Sequence, residues 1–108
     1  MDKETAEEKK VELADIISLM QMARKAGKLV MGTAACEQSL KRRKAKLCII
    51  ASDISERTKK QIIKLVKHQK VLICGSKSSL GEAFARNELG IITVEDSNFA
   101  RGIMRRVK

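Results

Sequence analysis

Three short apolar runs constrain this chain most: LCIIA at 47–51, VLIC at 71–74 and IITV at 91–94. Each is short, rich in β-branched residues and bounded by polar ones, the mark of a strand covered on both faces. A fourth, extended-looking piece runs from Lys28 to Met31. Segments of helical period lie between them. From Val11 to Ala26, apolar residues fall at 13, 16, 17, 20 and 23, the spacing of one helical face. Gly27 stops that helix as a C′ residue. Gly32-Thr33 opens a second helix to about Arg43, with Thr33 as its N-cap. Asp53 and Glu56 have the capping-box spacing for a third, which runs to about His68 with Ile62, Ile63 and Val66 on its apolar face. A fourth extends from the region of Ser76 to Ser79 to about Ala85, where Ser79 and Glu82 offer another box, and a last one spans Ser97 to about Met104.

Strands that alternate with helices in this way imply an α/β fold, a three-layer α/β/α sandwich around a mixed four-stranded sheet. A chain of 108 residues is one domain, able to bury a core without disulfides or metal. Residues 1–10 are charged and aperiodic and are expected to be a flexible segment; residues 11–108 form the single folded domain.

Charge narrows the partner. The chain carries a formal +10, and because the first 12 residues hold five acids and three lysines, the other 96 carry +12. A compact basic body favours an anionic partner, and nucleic acid is the commonest. The cations cluster: Lys41, Arg42, Arg43, Lys44 and Lys46 occupy five of six consecutive positions with no acid among them. With no acid among them they cannot neutralise one another through i,i+4 pairs, which favours phosphate contact over a solvated face. Lys25 and Lys28 flank the turn at Gly27. The helix start at Gly32-Thr33 presents backbone N–H groups and a partial positive charge, a setting suited to phosphate. The amides and the cations are expected to converge at one end of the sandwich. Arg57, Lys59, Lys60, Lys64, Lys67 and Lys70 read as a solvated helix face, and the basic tail from Arg101 to Lys108 as a supplement to binding.

Several function classes are disfavoured. Aromatic content is 2%, only Phe84 and Phe99, which argues against recognition by base stacking. No P-loop or GxGxxG pattern is present. A Cys36–His68 nucleophile pair lacks an orienting group, His68 sits on a polar stretch, and Asp53 is better explained as a helix cap than as a metal ligand. Cys48 and Cys74 lie in apolar runs as small hydrophobes, and with Cys36 they are too far apart for a CxxC pair. No apolar run approaches about 18 residues and no secretory h-region opens the chain, so a reduced cytoplasmic setting and no membrane are expected. The expectation is a non-enzyme without cofactor or metal.

The order KAGKLVMGT, KAKLCIIASD, VLICGSKSSLGEA and a short Val/Ile strand resembles the L7Ae/L30e ribosomal protein family, and most of all its bacterial YlxQ-type members, over about residues 13–104. The resemblance implies an α/β/α sandwich that binds RNA, associated with the ribosome. It also implies that the helix after the Gly-Thr turn and the loop before the last strand make the contacts. Family members that grip kink-turn RNA carry Gly-Thr-Asn-Glu at the turn and a lysine further along the helix. Here Gly32 and Thr33 match, Ala34 and Ala35 stand at the Asn and Glu positions, and Gln38 stands at the lysine position. The loop before the last strand is Arg86-Asn87-Glu88-Leu89. Backbone amides and cations are therefore expected to supply general affinity for structured RNA without the side chains that read kinked base pairs. The RNA-contacting set is Lys25, Gly27, Lys28, Gly32, Thr33, Ala34, Ala35, Gln38, Lys41, Arg42, Arg43, Arg86 and Asn87. Ribosomal proteins are a further expected partner. The alternative is a protein-interaction or ribosome-assembly module that docks on an acidic partner without touching RNA.

Overall fold

The computed structural model describes residues 8–107. Five strands and five helices alternate: β1 Glu8–Val11, α1 Leu13–Lys25, β2 Leu29–Met31, α2 Thr33–Lys41, β3 Leu47–Ile50, α3 Glu56–Leu65, β4 Lys70–Cys74, α4 Lys77–Ala83, β5 Ile91–Val94 and α5 Ser97–Met104. The sheet order is β1-β4-β3-β5-β2. β4 is parallel to β1 and β3, whereas β5 is antiparallel to β3 and β2, so the sheet is mixed.

Alternation along each central strand divides the core in two. Leu47, Ile49, Leu72, Cys74, Ile92 and Val94 face Ile16 and Met20 of α1, Leu80 of α4 and Ile103 of α5. Their neighbours Cys48, Ile50, Val71 and Ile91 face Cys36 and Leu40 of α2 and Ile62 of α3. Both faces of the sheet are thus covered. All four residues of β3 and of β5 are buried, which accounts for their continuous apolar spelling.

The sheet has five strands, not the expected four. The additional one is β1, Glu8–Val11, three of whose residues fall in the segment expected to be flexible; residues 1–7 of that segment lie outside the described residues. Its sequence EKKV carries no apolar alternation because it is an edge strand with exposed side chains. Backbone pairing to β4, from Glu8↔Val71 to Val11↔Cys74, holds it, and an edge strand of charged residues also discourages pairing with other chains.

The caps differ from expectation in detail. Gly32, not Thr33, caps α2, and it does so without a side-chain hydrogen bond. Ser55 caps α3 by accepting from the Thr58 N–H, while Asp53 instead accepts from the Lys77 N–H at 2.8 Å and so serves the first turn of α4. The box at α4 is formed by Ser76 and Ser79. Helix α3 stops at Leu65 rather than near His68, because the Lys67 N–H turns to the Gln69 side chain at 2.8 Å.

Candidate nucleic-acid interface

Strand register sorts the candidate residues into two groups. Met31 pairs with Ile92 and Ile50 with Ile91 and Ile73, so these residues share one end of the sheet. Leu29 and Leu47 both pair with Val94, and Leu47 with Lys70, so these share the opposite end. Gly32 follows Met31 at the first end, here called the turn end. Lys28 precedes Leu29 and Lys46 precedes Leu47, at the second, here called the basic end. Helix α2 connects them, and its nine residues rise about 13 Å from Thr33 to Lys41.

At the turn end, Gly32 adopts φ +95° and ψ 154°, a conformation essentially reserved for glycine. Its N–H donates to the Ile91 carbonyl at 3.0 Å, which pins the turn to the start of β5. No side-chain oxygen caps the helix, so the first-turn amides of Thr33, Ala34 and Ala35 stay uncapped at an exposed surface. Gln38 is exposed one turn further along, three and four positions from Ala35 and Ala34 and hence on their face of the helix.

The loop before β5 closes over this turn. Arg86 Nη1 lies 3.8 Å from the position a Gly32 Cβ would take, so the guanidinium sits beside the helix start. Three backbone bonds fix the loop: Arg86 N–H to Gly81 carbonyl at 2.7 Å, Leu89 N–H to Lys77 carbonyl at 3.0 Å, and Ala51 N–H to Gly90 carbonyl at 2.9 Å. The buried Gly81 permits the approach, since a Cβ there would meet the Arg86 and Asn87 carbonyl oxygens at 2.7 and 2.8 Å. Asn87 and Glu88 are exposed on the same loop. Charge at this end is mixed, with Arg86 and Lys77 accompanied by Asp53 and Glu88.

At the basic end, α2 finishes with Arg42 as C-cap and Arg43 at φ +60°, and the Lys44 N–H returns to the Ser39 carbonyl at 3.0 Å. That 6→1 bond and left-handed residue form a Schellman ending, here with arginine where glycine is usual. Lys41, Arg42, Arg43, Lys44 and Lys46 are all exposed. Lys25, Gly27 and Lys28 are exposed at the α1–β2 turn, and the Lys28 carbonyl accepts from the Glu95 N–H at 2.8 Å. The carboxylate of Glu95 is turned inward, where it accepts from the Ser39 hydroxyl at 2.6 Å, and the buried Thr93 hydroxyl donates to Ser39 at 3.0 Å. Asp96 is engaged as the α5 cap.

The expected convergence of amides and cations at one end is therefore not what the structure has. Gly32, Thr33, Ala34, Ala35, Arg86 and Asn87 come together at the turn end, and Lys25, Gly27, Lys28, Lys41, Arg42 and Arg43 gather at the other. The physical reason is that a helix running the height of the sheet separates the Gly-Thr turn from the cation run.

Two residues that shape these ends are silent in the sequence. Lys77 reaches the turn end through its backbone bonds to Asp53 and Leu89, and its side-chain Cγ lies 3.8 Å from the Cβ position of Gly90. Gln69, 4% exposed, donates to the Ala45 carbonyl at 3.0 Å and ties the loop bearing Lys67 to the cation run. Both roles rest on tertiary contacts that no local pattern announces.

Burial raises the Cys36 thiol from an ordinary 9.0 to about 11, and the Cys48 and Cys74 thiols to about 12 and 11, so all three stay protonated and buried. Among the described residues, no three His, Cys, Asp or Glu side chains are grouped to hold a metal ion, and no helix is long and apolar enough to cross a membrane.

The model of the ribosomal protein L7Ae/L30e/S12e/Gadd45 family matches residues 14–101. Among solved structures, a protein of unknown function from Bacillus halodurans is similar, with TM-score 0.74, 26% identity, and 83% of this chain and 93% of that one covered. The Giardia lamblia 15.5 kD RNA-binding protein shares the fold, with TM-score 0.68, 20% identity, and coverage of 87% and 85%. No curated protein matches the chain.

Proposed function

The chain belongs to the ribosomal protein L7Ae/L30e/S12e/Gadd45 family, and from that premise we propose that it is an RNA-binding protein. The observation that carries the reading is the uncapped start of α2, with the Arg86 guanidinium held beside Gly32. Amides of Thr33, Ala34 and Ala35 suit phosphate or base acceptors, and Arg86 adds charge and a planar donor fork. The Giardia neighbour, named as an RNA-binding protein, supports the same reading through its shared fold.

Ala34 and Ala35 lie on the exposed face of α2 where kink-turn binders carry Asn and Glu, with the polar Gln38 one turn on. Methyl groups read no base edge. The turn end thus favours a bound phosphate or a single acceptor over discrimination among bases. Ribosomal RNA in the cytoplasm is the natural ligand in this reading, which extends the family membership to a YlxQ-type, ribosome-associated binder with ribosomal proteins nearby. Binding needs no cofactor and no catalytic step.

Fluorescence anisotropy with a structured RNA, repeated over a series of salt concentrations, tests the reading. Each phosphate contact adds about 0.7 to 0.9 to the log–log salt slope, so a slope of several units is expected. Arg42→Ala with Arg43→Ala should weaken all RNAs about equally and lower the slope by about two contacts. A salt-independent titration would remove the electrostatic basis of the proposal, and an interaction that survives nuclease treatment would favour the protein-docking alternative.

A further inference from the structure

We propose that the acidic segment leading into β1, residues 2–7, competes with RNA for the basic end, its carboxylates pairing with the cations after α2 until RNA displaces them. The inference rests on the RNA-binding reading and adds to it a control carried by the same chain.

Three observations carry it. The first is where the segment is delivered. β1 is parallel to β4 and starts beside its first residues, with Glu8 paired to Val71, and β4 in turn pairs Lys70 with Leu47 of β3. The chain before Glu8 therefore meets the sheet at the basic end, whereas an antiparallel β1 would bring it to the turn end. Two strand spacings, about 10 Å, separate Glu8 from β3, whose first residue follows Lys46. Residues 2–7 span about 20 Å when extended, enough to reach the cation run.

The second is complementary charge. Asp2, Glu4, Glu7 and Glu8 stand against the single Lys3 over residues 2–8. Lys41, Arg42, Arg43, Lys44 and Lys46 make no ion pair with any described residue. The neighbouring acids are engaged, Glu95 by the Ser39 hydroxyl and Asp96 as the α5 cap. Tethering makes the contact intramolecular, so carboxylates of modest attraction suffice to compete with a free polyanion. The third is a pairing of this kind that the structure already has. Glu8 Oε1 lies 3.0 Å from Lys59 Nζ of α3. It turns the last acid of the segment toward the sheet face that α2 and α3 cover, the side on which α2 leads into the cation run. Gln69 braces that run through the Ala45 carbonyl, so its cations stand on a fixed loop beside the start of β4.

Carbodiimide, which joins a carboxylate to a lysine amine in direct contact, tests the proposal on the full-length protein. Crosslinks from Asp2, Glu4 or Glu7 to Lys41, Lys44 or Lys46, read by peptide mass spectrometry, are expected in the free protein. They should fall several-fold when a short RNA hairpin is added first. The substitutions Asp2→Asn, Glu4→Gln and Glu7→Gln lie outside every described element, so together they should leave the thermal midpoint unchanged. Affinity for the hairpin should rise several-fold at low salt, and the gain should shrink as salt screens the pairing. The crosslinks separate docking from a mere change of net charge. Their absence, or crosslinks that RNA does not reduce, overturns the inference and leaves RNA binding standing, as does a variant whose affinity is unchanged. A protein that binds no hairpin at low salt, with or without the substitutions, overturns both.

Discussion

The two ends of the sheet attract anions by different physical means. At the turn end the attraction comes from geometry: a glycine in a conformation barred to other residues, three uncapped amides and one guanidinium held by a stapled loop. At the basic end it comes from accumulated charge, with five exposed cations in six positions and the nearby carboxylate of Glu95 turned away. Geometry is sensitive to a single methyl group. Accumulated charge is sensitive to salt and tolerant of any one substitution. The difference predicts which variants should be sharp and which graded.

The largest effect should come from charge reversal at the basic end. On a long structured RNA that reaches both ends, Lys41→Glu with Arg42→Glu and Arg43→Glu should weaken binding by about a hundredfold, because the two surfaces then no longer reinforce each other. Electrophoretic mobility shift at fixed salt reads this directly, and a loss of less than threefold would mean that the cation run is only a solvated surface.

Next is Gly81→Ala, which separates the stapled loop from the rest of the fold. Its new methyl would meet the carbonyl oxygens of Arg86 and Asn87, so overpacking should cost about 1–3 kcal/mol in urea unfolding and displace Arg86. RNA binding through the turn end should weaken with it, while the basic end is untouched. Gly32→Ala should cost a similar or slightly smaller amount, about 1–2 kcal/mol, through backbone strain alone, since nothing but Arg86 Nη1 lies near the added carbon. If Gly32→Ala is neutral, the unusual conformation of that turn is wrong.

Gln69→Ala should cost about 1–2 kcal/mol, because it leaves the buried Ala45 carbonyl and the Lys67 N–H without their partner. Its RNA phenotype should appear only at the basic end. The smallest effect is alkaline. Burial holds the three thiols at about 11, 12 and 11 against 9.0 for an exposed thiol, so the folded state binds these protons more tightly than the unfolded chain. Their contribution is complete below pH 9 and is lost as pH rises from 9 toward 11 and 12. The thermal midpoint should decline over that range, and thiol reagents at neutral pH should label the cysteines only after unfolding.

Much of the fold was legible because burial writes itself into apolar runs. LCII, VLIC and IITV became the three central strands, and the periodic segments between them became helices. β1 was not legible, since a charged, mostly exposed edge strand shows no apolar alternation; backbone pairing holds it, together with Val11 packed on the core and Glu8 paired to Lys59 at 3.0 Å. The caps were misplaced by one to three residues: Gly32 begins α2 with its N–H given to the Ile91 carbonyl, Asp53 is drawn to the Lys77 N–H, and the α4 box lies at Ser76 and Ser79. Within the candidate interface, the chemistry of each loop was plain from its letters, but their mutual placement was not. A helix of about ten residues between the turn and the cation run places them at opposite ends of the sheet.

RNA is expected to meet the start of α2 beside Arg86 and the loop after α2. An amide-resolved NMR titration with a structured RNA addresses it most directly. Shifts are expected at Thr33, Ala34, Ala35 and the Arg86 side chain, and at Arg42 to Lys46, with little change along β1 and the exposed face of α3. Shifts confined to β1 and α3, with both ends unmoved, would contradict it.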